Sequence, residues 1–187
     1  MKSNMQQLFE RQRNTHVLYS YENLNKYVDQ AVTYIEDGVK AGEYTIIIEN
    51  ERIYPLIQKE LSKRITKEQM PFVHFVNNFH FYYSSGSYHP PAIVNYFEQT
   101  VQRYVENKLS FRSWAHVEWA TMKGPLHIIK ELEIIIDEAV NELSFPLICA
   151  YAKERMPDYL LTLLLETHPL VLINDELILS NQYLKNV

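Results

Sequence analysis

Two hydrophobic patterns alternate along this chain: short continuous runs of β-branched and aromatic residues, and longer segments whose apolar residues recur at helical spacing. The short runs predict strands over His16–Tyr21, Tyr44–Ile48, Phe72–Val76, Phe111–Val117, Phe145–Tyr151, Leu170–Ile173 and Leu177–Leu179. The longer segments predict helices over about Leu24–Val39, Arg52–Ile65, Ala92–Asn107, Pro125–Leu143 and Pro157–Leu165. Strands that alternate with helices in this way predict an α/β fold with a mostly parallel central sheet and helices on both faces.

Two of the predicted strands have the character of central strands. Tyr44–Ile48 and Phe145–Tyr151 are nearly continuous apolar runs, which is typical of parallel strands that are buried on both faces. No repeat, linker or low-complexity segment interrupts the alternation. We therefore interpret residues 15–187 as one domain, preceded by an N-terminal extension of residues 1–14.

Composition and charge narrow the class of protein. The chain is 47% hydrophobic and 22% charged, which is typical of a globular protein. Its net charge is -5 and its Lys and Arg residues are scattered, which argues against direct binding of nucleic acid. The mean hydropathy is -0.27, and no apolar run is long enough to span a membrane. Since the N-terminus also lacks the apolar stretch of a signal peptide, we expect a cytoplasmic protein without membrane contact.

Several common chemical motifs are missing from the sequence. The four glycines form neither a GxxxxGK[ST] nor a GxGxxG loop, so the usual nucleotide-binding loops are excluded. The single cysteine, Cys149, excludes an internal disulfide and a multi-cysteine zinc site, and its apolar strand predicts low reactivity. The nearest histidine pairs, His74–His80 and His80–His89, do not have the spacing of metal ligands on a helix. The sequence therefore predicts neither a metal nor another cofactor.

Aromatic residues and histidines accumulate where the predicted strands end. Ligands of open parallel α/β sheets bind outside the carboxyl ends of the strands. The residues that we predict to line a ligand pocket there are His16, Tyr19, Trp114, His116, Trp119 and Tyr151. The uncharged aromatic segment around Phe79, Phe81, Tyr82 and Tyr83 is predicted to be a lid over that pocket or a surface that docks a partner. The alternative is that these aromatics, and the two tryptophans, pack in the core.

Several short motifs resemble one known family. His16–Tyr19, the helix end EDGVKAGEYTIII, the strand Leu147–Tyr151 (LICAY) and the segment Thr167–Leu172 (THPLVL) occur in an order similar to that of MEDS sensory domains, which are named for methanogen and methylotroph regulators of the DcmR type. Glu131 falls where the family carries an acid. Two departures are the alanine at Ala152, where the family has aspartate, and the absence of an attached output domain.

The resemblance implies both a fold and a role. MEDS domains resemble RecA/KaiC-type ATPase domains that have lost the phosphate loop, and they are proposed to sense simple hydrocarbon derivatives. It follows that we expect a non-catalytic sensory or regulatory module that binds a small apolar ligand, with output through a separate signalling protein such as a histidine kinase or regulator. A homodimer is left open. The alternatives are an interaction protein that regulates a kinase or transcription factor without a ligand, and a small-molecule enzyme in which His116, Glu118 or His168 acts as acid or base.

Overall fold

Seven strands and seven helices make up the computed structural model, which describes residues 4–118 and 126–183. The strands are β1 (His16–Tyr21), β2 (Tyr44–Glu49), β3 (Val73–Asn77), β4 (Phe111–His116), β5 (Leu147–Ala152), β6 (Leu170–Ile173) and β7 (Glu176–Leu179). The helices are α1 (Asn4–Arg11), α2 (Leu24–Lys40), α3 (Tyr54–Leu61), α4 (Asn78–Tyr82), α5 (Pro90–Glu106), α6 (Leu126–Leu143) and α7 (Asp158–Thr167). Each predicted strand is therefore present, and Pro125, the predicted helix start, lies outside the described residues.

All strands belong to one sheet in the order β3-β2-β4-β5-β1-β6-β7. Every neighbouring pair is parallel except the terminal hairpin of β6 and β7, which is antiparallel. The strands β2 and β5 both lie in the interior of the sheet, as their continuous apolar sequences predicted. The α/β fold with a mostly parallel sheet is thus confirmed.

Strand alternation divides the core into two layers. Leu18, Ile48 and Cys149 point to the first face, which α4, α5, α6 and α7 cover. Val17 and Ile148 point to the second face, which α1, α2 and α3 cover. Adjacent residues of one strand therefore serve opposite layers, because successive side chains of a strand alternate between faces.

The N-terminal segment is part of the domain body. Phe9 of α1 is fully buried, and its ring meets that of Tyr34 edge-on with centroids 5.8 Å apart. Gln6 accepts a hydrogen bond from the buried guanidinium of Arg112 at 3.1 Å. The boundary drawn after residue 14 from the sequence therefore does not separate a detached extension from the domain.

Two connections matter for function. Only Glu22 and Asn23 lie between β1 and α2, and the Asn23 side chain caps the helix by accepting from the backbone N–H groups of Asn25 and Lys26. After β3, the segment interpreted as a loop instead forms the five-residue helix α4, capped by the Asn77 side chain. A helix this short has too few turns to produce a helical hydrophobic period. No helix of the described residues is long and apolar enough to cross a membrane.

Candidate functional site

The sheet separates the residues that were predicted to line one pocket. Tyr19, Trp114 and His116 are buried on the second face, whereas His16 and Tyr151 are buried on the first face. His16 also lies at the amino end of β1, opposite Leu147. Trp119 lies outside the described residues. The five described residues therefore contribute to two clusters on opposite faces, because strand alternation overrides their closeness in the sequence pattern.

On the second face, an edge cluster forms where β2 and β4 end. It comprises Glu49, His116, Glu118, Tyr21 and Tyr27. The buried carboxylate of Glu49 lies 2.6 Å from Nδ1 of His116, and Nε2 of the same imidazole lies 2.8 Å from the Tyr21 hydroxyl. The Tyr27 hydroxyl donates to the second oxygen of Glu49. The edge cluster is thus a continuous hydrogen-bonded chain from the core to the rim.

Neighbouring groups complete the hydrogen bonding of the edge cluster. Trp114 Nε1 donates to the Tyr27 hydroxyl at 2.9 Å, and the backbone N–H of Asn50 donates to Glu49 at 2.7 Å. The side-chain amides of Asn50 and Asn78 donate to Glu118 at 2.9 and 2.8 Å. Burial raises the pKa of Glu118, but the nearby His116 and the two amides outweigh it, so the net pKa is below the usual value. Burial and the charge of Glu49 raise the pKa of Tyr21.

On the first face, four buried side chains from separate strands and helices converge. This core polar cluster comprises His16 of β1, Glu133 of α6, Cys149 of β5 and His168, which follows α7. His16 Nε2 lies 3.4 Å from Cys149 Sγ and 3.6 Å from Glu133 Oε2. His168 Nε2 lies 3.5 Å from the same carboxylate oxygen, and the two imidazole centroids are 3.9 Å apart.

Burial dominates the electrostatics of the core polar cluster. It raises the pKa of the Glu133 carboxyl and of the Cys149 thiol, and it lowers the pKa of His168 well below its usual value. Each shift disfavours the charged form of its group in the absence of a compensating charge. One ligand atom from each of the four residues lies within 4.8 Å of the others, so the cluster has the donor set and spacing to hold a metal ion.

An apolar cavity of about 30 Å³ adjoins this cluster on the first face. Its wall is built from β2, α4, α5, β4, α6 and β5. The lining residues are Ile48, Phe81, Tyr82, Ile93, Val94, Phe97, Ala115, Ile136, Ala139, Phe145, Leu147 and Cys149. Cys149 belongs to both the cavity wall and the core polar cluster, so the two features are continuous.

The aromatic segment predicted to be a lid or docking surface is divided by helix α4. Phe81 and Tyr82 are buried and line the cavity. Phe79 is 64% exposed, and its ring stacks on that of Tyr83 with centroids 5.3 Å apart. One short helix therefore has aromatic side chains both on the cavity wall and on the protein surface.

Sequence reasoning missed the core polar cluster because its members are far apart in the chain. Only neighbouring histidines were compared as metal ligands, whereas the fold brings His16 against His168. The family resemblance placed an acid at Glu131, which is exposed, and the buried acid is Glu133. A usable signal existed: Glu133 and Asp137 are spaced four apart, on one face of a predicted apolar helix.

The family comparison supports the resemblance noted in the sequence. The family model described as MEDS, "MEthanogen/methylotroph, DcmR Sensory domain", matches residues 15–169. No curated protein matches the sequence significantly.

Solved structures with a similar fold are RecA-like ATPase domains. One of them, described simply as an ATPase domain, has a TM-score of 0.54 at 9% identity, and the match covers 86% of this chain and 69% of that one. The flagellar accessory protein FlaH from Methanocaldococcus jannaschii has a TM-score of 0.53 at 9% identity, covering 91% of this chain and 80% of that one. At this identity the likeness concerns the fold alone.

Proposed function

Since this chain belongs to the MEDS family of sensory domains, we propose that it is a non-catalytic sensory and regulatory module that binds a small apolar organic molecule. The observation that carries the proposal is the apolar cavity between the sheet and helices α4, α5 and α6. A hydrocarbon derivative suits such a site, because an apolar cavity stays dry and gains from contact with an apolar guest.

The dimensions of the cavity set the class of ligand. Its volume of about 30 Å³ is comparable to the share of one water molecule in the liquid, so the ligand is a molecule of very few heavy atoms. A larger ligand would have to displace α4 or α5. Cys149 offers a weakly polar thiol beside the apolar walls, which favours a ligand with one polar or polarisable group.

Helix α4 offers a route from ligand to output. Phe81 and Tyr82 line the cavity, so a guest that changes their packing must also change the position of a five-residue helix. The exposed Phe79 ring lies on the same helix. We propose that a separate signalling protein, a histidine kinase or a regulator, reads this surface.

A thermal-shift screen tests the proposal. The compounds are short alcohols, aldehydes and halomethanes, with aromatic acids as oversized controls. A ligand at about 100 times its Kd stabilises the folded state by about 2.7 kcal/mol, which raises the Tm by roughly 5–10 °C for a domain of this size. We expect saturable stabilisation that disappears as the compounds grow. Absence of any stabilising compound, or a response that only follows bulk hydrophobicity, would contradict the proposal.

One observation favours a second candidate function, acid–base chemistry at the edge cluster. The Glu49–His116–Tyr21 chain connects a buried carboxylate to a partly exposed hydroxyl, an arrangement that can carry a proton. Turnover of a small metabolite that is lost in His116→Gln and retained in His80→Gln would support this candidate. His80 is an exposed histidine, so its substitution controls for loss of a surface imidazole.

A further inference from the structure

We infer that His16, Glu133, Cys149 and His168 form a binding site for a divalent transition-metal ion, and that Zn²⁺ is the ion whose ligand preferences they match. Two imidazoles, a thiolate and a carboxylate are the protein ligands that zinc takes in four-coordinate sites. The inference concerns the core polar cluster and does not depend on a ligand in the cavity.

The distances fit a slightly expanded tetrahedral site. Zinc bonds of about 2.0–2.3 Å place pairs of tetrahedral ligands roughly 3.3–3.7 Å apart. The three measured separations, His16 Nε2 to Cys149 Sγ, His16 Nε2 to Glu133 Oε2 and His168 Nε2 to Glu133 Oε2, are 3.4, 3.6 and 3.5 Å. The four ligand atoms all lie within 4.8 Å of one another, so side-chain rotations of about 1 Å complete the site.

Two of the ligand atoms are buried acceptors that face each other. His168 Nδ1 lies 2.8 Å from the carbonyl oxygen of Leu164, which can only accept, so the ring proton is on Nδ1 and Nε2 carries a lone pair. Within the described part of the chain, neither His168 Nε2 nor Glu133 Oε2 has a hydrogen-bond partner. Leaving such groups unpaired in a core is unfavourable, and a cation between them satisfies both.

A second layer of hydrogen bonds orients the ligands. Asp137 Oδ1 lies 3.2 Å from His16 Nδ1, and its other oxygen accepts from the Tyr183 hydroxyl at 2.8 Å. The Tyr151 hydroxyl donates to Glu133 Oε1 and leaves Oε2 directed at the cluster. Carboxylates and carbonyls that hold the remote nitrogen of each imidazole are the usual supports of metal-bound histidine.

Charge balance also favours the ion. Zn²⁺ with the Cys149 thiolate, the Glu133 carboxylate and two neutral imidazoles forms a site of zero net charge, which a core can bury. Binding releases the thiol proton to solvent, together with the carboxyl proton where Glu133 is protonated. The edge cluster has no such need for a cation, because its carboxylates and imidazole are already hydrogen-bonded.

Cobalt loading provides the first test. The full chain is treated with a strong chelator, dialysed and titrated with Co²⁺, followed by Zn²⁺ competition. We expect one ion per chain, with a thiolate-to-cobalt charge-transfer band and the visible bands of tetrahedral Co²⁺. Cys149→Ser should abolish the charge-transfer band, and the exposed-histidine control His80→Gln should leave it unchanged. Folded wild-type protein that gives no such bands, or identical bands from Cys149→Ser, would overturn the inference.

Glu133→Gln distinguishes a metal from a proton shared between Glu133 and His168. The glutamine amide can donate to His168 Nε2 while its oxygen still accepts from Tyr151, so a metal-free cluster is satisfied by this change. If the site holds a metal, Zn²⁺ raises the Tm of the wild type and binds Glu133→Gln at least tenfold more weakly. A variant as stable as wild type, with no effect of Zn²⁺ or chelator on either, would instead establish the shared proton.

Discussion

Replacing Val94 with isoleucine adds one methyl group to the wall of the apolar cavity. Val94 lies on α5 and lines the cavity, whose volume of about 30 Å³ is close to the size of that group. Burying one additional CH₂ contributes about 0.8 kcal/mol, and both residues have a similar, β-branched cost in a helix. For a chain of 187 residues, this gain corresponds to a Tm increase of roughly 2–3 °C. The same methyl group occupies the space proposed for the ligand, so the thermal response to small organic molecules should disappear.

Val105→Ile is the matched control for this substitution. Val105 lies on the same helix and is 44% exposed, so the same chemical change adds little buried area. We expect it to leave both the Tm and the ligand response unchanged. Urea unfolding and differential scanning fluorimetry, each with and without the best compound of the screen, measure the two effects. A Val94→Ile protein that is not stabilised and keeps the full ligand response would refute the cavity as the binding site.

Three further predictions follow from other parts of the molecule. His116→Ala removes a buried partner of Glu49 and should cost about 2–4 kcal/mol in urea unfolding, since an unsatisfied buried acceptor adds to the lost packing; a loss under about 0.5 kcal/mol would contradict the buried role. The chain should not bind ATP at micromolar concentrations by calorimetry, because the two-residue β1–α2 connection presents no glycine loop to phosphate; saturable binding that a competing nucleotide displaces would be the opposite result. Burial and the charge of Arg103 lower the pKa of half-buried His74 below its usual 6.5, so the unfolded chain binds the proton first. Its contribution to stability is complete above about pH 6.5 and is lost as the pH falls through the lower folded pKa, and His74→Gln should flatten that part of a urea-unfolding profile between about pH 7 and pH 5; an unchanged profile would exclude the role.

The fold was predictable because its strongest signals are local. Continuous apolar runs identified the interior strands β2 and β5, and the helical spacing of residues 24–39 identified α2. Element ends were less accurate: α3 spans Tyr54–Leu61, shorter than the predicted Arg52–Ile65. The buried position of α1 was also missed, because eight residues with few apolar side chains carry little sign of packing until the partner Tyr34 is placed.

The candidate site was less predictable because it depends on which face each side chain takes. Tyr19 and His16 are close in one strand, yet they lie on opposite layers of the core. The pairing of His16 with His168 requires β1 and β6 to be neighbours, which the sequence pattern of either strand does not specify. Only the arrangement of strands determines which distant polar residues meet.

The most direct test of ligand binding in the cavity is methyl NMR on isoleucine-labelled protein, titrated with ethanol and with a monohalomethane. Ile48, Ile93 and Ile136 line the cavity, whereas Ile47 and Ile148 lie on the opposite face of the sheet and serve as internal references. The account predicts saturable shifts of the three cavity methyl groups with the reference signals unmoved. Shifts confined to the reference residues, or no saturable shift at any concentration that leaves the protein folded, would contradict it.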